Sequence, residues 1–102
     1  MLPFLGIIAA VLGLITIIAV IELKFEVIKG WFREKSTLMN RSDSSKVAFT
    51  LKEGIKKGKY RVVQGIFDKE SNKLLDGVRY EAERLDNEIG ELHSKDKIVI
   101  YE

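Results

Sequence analysis

The sequence predicts an α+β protein: one N-terminal transmembrane helix, then a small ββαβ-like cytoplasmic domain with a three-stranded antiparallel or mixed sheet and one helix. Three observations predict it. Phe4 to Ile21 carries no charged side chain, and the Thr16 hydroxyl is its one polar group. Most of the chain's Lys, Arg, Asp and Glu lie after position 40. From residue 59 onward the hydropathy period runs from two to near 3.6 and back to two, as strands and a helix would produce.

The apolar run comes first. At about 1.5 Å of rise per residue, residues 4 to 21 just span the hydrocarbon core of a bilayer. A secretory signal needs a basic start, a shorter apolar core and a small-x-small cleavage site. This chain starts MLPF and leaves the run through IIAVIELK, so the segment reads as a retained anchor. Lys24, Lys29, Arg33, Lys35 and Arg41 follow it and nothing basic precedes it. By the positive-inside rule the N-terminus is translocated and the remainder is cytoplasmic. Gly6, Ala9, Ala10, Gly13 and Thr16 recur at spacings of three and four, a stripe on which another membrane helix could pack closely.

Residues 22 to 35 alternate charge with large apolar groups. At helical spacing Phe25, Ile28, Trp31 and Phe32 share a side, which suits a helix lying in the membrane interface. Residues 36 to 46, STLMNRSDSSK, have linker chemistry, because Ser, Asn and Asp bond their own backbone.

The domain is read as residues 47 to 102. Val47, Phe49 and Leu51 alternate as in a strand, while Val47, Leu51 and Ile55 recur as in a helix; a short helix or turn is the preferred assignment. Gly54, Gly58 and the lysines between them form a loop. KYRVVQGIFD (59 to 68) reads as a strand, and LLDGVRYEA (74 to 82) as its antiparallel partner across a hairpin-sized KESNK connection. Val78, Tyr80 and Ala82 share one face of that partner. Ala82, Leu85, Ile89 and Leu92 then define an amphipathic helix of about three turns, and KIVIYE (97 to 102) a final strand. About 60 residues lie near the lower size limit for folding unaided, which calls for a supporting surface.

Composition limits the chemistry. The 102 residues include no cysteine, one histidine and one proline, with a net charge of +2. That excludes disulfides and thiolate metal sites, and leaves transition-metal sites without their usual ligands. His93 sits at a helix end, Ser42, Ser44 and Ser45 have no base beside them, and GIKKG is not a phosphate-binding loop. No catalytic, cofactor or metal residue is assigned, and no cofactor is expected. Lys52, Lys56, Lys57, Lys59 and Arg61 form a basic group that could contact a partner or lipid, opposite an acidic group at Asp76, Glu81, Glu83, Asp86, Glu88 and Glu91. The expected function is a single-pass, non-catalytic accessory subunit or adaptor of a larger membrane protein complex. Its partners are the bilayer and that complex, or a second copy of itself. The alternative is a self-assembling membrane-surface module that binds anionic lipid, or less readily nucleic acid, through residues 46 to 61.

Overall fold

The computed structural model describes residues 4–14, 16–39 and 45–101. The apolar run does not form one helix. It splits into α1 (Phe4–Val11) and β1 (Ile17–Leu23). The bonds from Leu12, Gly13 and Leu14 N–H reach back three residues, to Ala9, Ala10 and Val11, and tighten the last turn until α1 stops. Beyond it Ile17, Ile18, Val20 and Ile21 are β-branched, stiff side chains that favour an extended chain. No helix of the described residues is long and apolar enough to cross a membrane. The single-pass anchor is therefore corrected, and with it the membrane localisation and the orientation drawn from its flanks.

The remaining elements are α2 (Phe25–Glu34), α3 (Ser36–Met39), β2 (Lys46–Lys56), β3 (Lys59–Asp68), β4 (Lys73–Leu85), α4 (Asn87–Leu92) and β5 (Ile98–Tyr101). They form one five-stranded sheet in the order β1-β4-β3-β2-β5, not the three strands expected. β1 runs parallel to β4; the other neighbours are antiparallel. Residues 36–46, expected as a linker, contain α3 and the first residue of β2, and positions 40–44 lie outside the described residues.

Two assignments in the second half also change. Residues 46–56 form a strand, and Lys57 and Gly58 make its turn to β3 with φ of 54° and 78°. Positive φ at both central residues is the type I′ geometry, which sets Lys56 opposite Lys59. Gly54, φ +111°, sits at the irregularity of the β2–β3 register, a backbone conformation that side chains rarely tolerate. The helix expected from Ala82 begins only at Asn87, because residues 82–85 continue β4: Ala82 pairs with both β1 and β3, and Arg84 and Leu85 pair with β1. Asp86 ends the strand. Its carboxylate accepts from Ile89 N–H at 3.0 Å and Phe25 N–H at 2.6 Å, capping the starts of α4 and α2 together.

The sheet is covered on both faces. On one, Ile7 and Val11 of α1 pack on Phe49, Leu51, Val63, Phe67 and Ile98. On the other, Ile28 of α2 and Ile89 of α4 pack with Leu23, Val62, Val78, Tyr80 and Ala82. Successive strand residues face opposite sides, so covering both leaves Val62 to Phe67 buried without a break. Gly6 lets α1 settle on the sheet: a Cβ there would come within 2.9 Å of the Phe67 ring and crowd the Asn72 side chain. The supporting surface that residues 47–102 need is thus supplied by residues 4–35 of the same chain. β5 is the edge strand opposite β1.

Candidate functional site

β1 is the terminal strand of the sheet. Its alternation follows from one bond. Arg79 N–H donates to the Thr16 carbonyl at 3.2 Å, and Ile18 and Val20 stand in register with Tyr80 and Ala82. In a parallel ladder alternate residues turn both main-chain groups to the same neighbour. Thr16, Ile18 and Val20 therefore address β4, and Ile17 and Ala19 present N–H and C=O away from the sheet; the pattern breaks at Ile21, which has no register partner on β4, and the Leu23 carbonyl turns in to accept from Asp86 N–H at 3.0 Å. Among the described residues no strand pairs with that outer side. Ile17, Ile18 and Ile21 are 47%, 44% and 63% exposed. The strand's one charge, Glu22, lies 4.0 Å from Arg84 Nε on β4. It carries no Lys or Pro, two of the features that usually blunt an edge.

Behind the edge, Arg79 fixes where β1 begins. Its guanidinium donates to the Leu14 carbonyl at 2.6 Å and, at 3.0 Å, to the Val11 carbonyl, which also accepts from Leu14 N–H at the end of α1. Its Nε and Nη2 also meet Glu53 Oε1 and Oε2, at 2.7 and 3.0 Å. A cation at a helix C-terminus is favoured by the helix dipole. One nearly buried side chain thus joins α1, β2 and β4, and the alternation of Val78, Tyr80 and Ala82 on the other face was the sequence signal that Arg79 points to this one.

The other buried polar groups are engaged in structure. His93 Nε2 lies 2.8 Å from Thr50 Oγ1, which lies 2.7 Å from the Tyr101 hydroxyl, and His93 Nδ1 lies 2.9 Å from the Asp96 carbonyl. A carbonyl can only accept, so Nδ1 carries the proton and Nε2 accepts from Thr50. Tyr80 donates to Gln64 Oε1 at 2.5 Å, and Gln64 Nε2 donates to the Ile28 carbonyl at 3.1 Å, tying β4 and β3 to α2. Burial, with the negative charge of Glu34, pushes the Tyr80 hydroxyl up to about 12.

Burial also holds His93 below its ordinary 6.5, with Lys52 adding repulsion against the pull of Asp96 and the Lys97 backbone. The unfolded chain then takes up this proton first as pH falls, and folding stability declines from about pH 6.5 downward until the folded histidine itself titrates. Urea midpoints measured at a series of pH values should show that decline as the pH falls below about 6.5, and His93→Gln should flatten it. Superimposable curves for the two chains would discard the assignment.

The residues singled out from sequence are dispersed. Of the small-residue stripe, Gly6 abuts Phe67 and Asn72 and Ala10 packs against the core; Ala9, Gly13 and Thr16 are exposed. Phe25, Ile28, Trp31 and Phe32 do share one side of α2, and that side lies on the sheet. Of the basic group, Lys52 stands 5.5 Å over the Tyr60 ring, and Arg61 gives Nε and Nη2 to Glu81 Oε2 at 3.1 and 2.9 Å. Lys57, Lys59, Arg61 and Glu81 line a cleft of about 370 Å³, while Lys56 belongs to the strand end opposite Lys59. Among the described residues no group of three or more His, Asp or Glu is arranged to hold a metal ion. No family model, curated protein or solved structure matches this chain.

Proposed function

We propose that this protein is a non-catalytic interaction module, an adaptor that takes its partner by extending the sheet at β1. The observation that carries this reading is the unpaired outer edge of β1 at Ile17 and Ala19, bordered by the exposed side chains of Ile17, Ile18 and Ile21. Strand addition draws affinity from main-chain hydrogen bonds and specificity from alternate side chains. The one histidine supports the same reading, because Thr50 and the Asp96 carbonyl occupy both of its ring nitrogens. The basic group supports contact with an anion less well, because Arg61 is spent on Glu81 and Lys52 on Tyr60.

Proline tests the edge. Ala19 directs its N–H outward, so Ala19→Pro removes one docking donor without removing a bond to β4; proline is tolerated on edge strands in this setting. Val20→Pro instead deletes a bond inside the ladder and should unfold the chain. Tagged full-length protein carrying Ala19→Pro should keep its circular dichroism and lose at least about tenfold in partner capture, the equivalent of roughly 1.4 kcal/mol. Capture that survives Ala19→Pro unchanged would rule the edge out.

A further inference from the structure

A second site lies at the β2–β3 turn and does not depend on the β1 edge. We propose that the cleft there binds a small phosphate dianion that also offers a hydroxyl, inorganic hydrogen phosphate being the simplest.

Alternation along β3 decides which basic residues gather. Val62 packs with α2 and α4 and stands in register with Lys52, so Lys52 and the Tyr60 ring beside it belong to that face. Arg61 belongs to the other face, with Val63, and meets Glu81 across the β3–β4 ladder. The basic group is thus divided. Three of its members, Lys57, Lys59 and Arg61, join Glu81 around a cleft of about 370 Å³, at the small end of the roughly 300–1,000 Å³ range of ligand pockets.

Charge and donors there suit a small dianion. Three cations against one carboxylate leave a net charge of +2. Lys57 and Lys59 pair with no carboxylate among the described residues. Glu81 receives Arg61 Nε and Nη2 on one oxygen, Oε2. A guanidinium has donors on all three nitrogens, so the pair steadies the fork and leaves Nη1 for a ligand.

Glu81 supplies the selectivity. A carboxylate repels a bare dianion and accepts from a hydroxyl, so it favours an anion that carries a proton. Hydrogen phosphate carries one at neutral pH and sulfate does not. A phosphate ester of a polyol offers the same pair of features, a dianion and a nearby hydroxyl.

The test is a titration of isotope-labelled full-length protein at neutral pH and constant ionic strength, followed through its amide resonances. Inorganic phosphate should give saturable shifts centred on residues 57–61 and 81, and sulfate should bind at least about tenfold more weakly. Glycerol phosphate is the second probe; whichever of the two phosphates binds more tightly identifies the source. Glu81→Gln should bring sulfate and phosphate closer together, because the repelling charge is gone. Lys57→Gln combined with Lys59→Gln removes two exposed cations and should cost at least about tenfold in phosphate affinity. Shifts spread evenly over the basic residues of the chain, or equal affinity for phosphate and sulfate, would overturn the site. That comparison uses the unmodified chain and decides the matter even if a variant does not fold.

Discussion

Arg79→Ala is expected to lower the free energy of unfolding by about 3–5 kcal/mol, the range for breaking a buried ion pair from one side. The side chain is 8% exposed, and three losses coincide when it is cut back. Glu53, itself mostly covered, keeps a carboxylate with no guanidinium beside it. The Leu14 carbonyl loses the Arg79 donor, and the Val11 carbonyl keeps only Leu14 N–H. The connection that turns α1 into β1 loses its anchor on β4. Urea unfolding is the measurement: the midpoint should fall at a nearly constant slope. Arg79→Lys should recover only part of the loss, because an ammonium cannot reproduce the planar fork that meets two carbonyls and a carboxylate together. A cycle with Glu53→Gln would isolate the pair from the helix cap. A loss below about 1 kcal/mol would mean that Arg79 behaves as a surface ion pair.

The second large effect concerns α1, where three apolar residues of the helix and Leu12 in the turn after it should behave in opposite ways. Ile7→Ala is expected to cost about 2–5 kcal/mol, the range for deleting a large buried aliphatic side chain. Val11→Ala should cost somewhat less, since fewer atoms are removed. Leu5→Ala and Leu12→Ala should stay within about 0.5 kcal/mol of the parent chain. Ile7 is 0% exposed against Phe49, Val63 and Phe67, whereas Leu5 and Leu12 are 82% and 77% exposed. Chemical denaturation of the four variants provides the comparison. Equal effects at all four positions would mean that this helix does not dock one side on the sheet.

Parts of this molecule are legible without coordinates because a local rule and the tertiary structure agree. Residues 59–68 and 74–82 alternate and are joined by a short polar connection, and they pair as the β3–β4 hairpin. Asp68 helps close that turn, accepting from Glu70 N–H and the Ser71 hydroxyl at 3.0 and 2.9 Å. The apolar stripe of α2 is likewise visible at helical spacing, although spacing does not say what the stripe packs on. Residues 47–55 were ambiguous because Val47 and Leu51 satisfy both periods; pairing with β3 on one side and β5 on the other decides for a strand. Ala82 and Leu85 fit a helical period with Ile89, yet the ladder to β1 holds both extended up to Asp86.

The docking edge was hidden for a different reason. Seen as part of one long apolar run, Ile17 to Ile21 has no outer and inner side. The two sides exist only once Thr16 bonds Arg79 and the alternation along β1 is set.

By itself the sequence determined that Phe4–Ile21 is one uncharged apolar run, that no disulfide or thiolate site holds the fold, and that a β-hairpin lies at the centre of the second half. It could not say where the apolar run goes. Hydropathy measures transfer out of water and is nearly the same for lipid and for a protein interior, and a segment that is apolar on every side carries no periodicity to mark one face. Tertiary structure decided the matter. The sheet formed by residues 46–101 has two apolar faces and a free edge beside β4, and each piece of the run meets one of them: Ile7 and Val11 cover a face, and Ile17–Leu23 extends the edge.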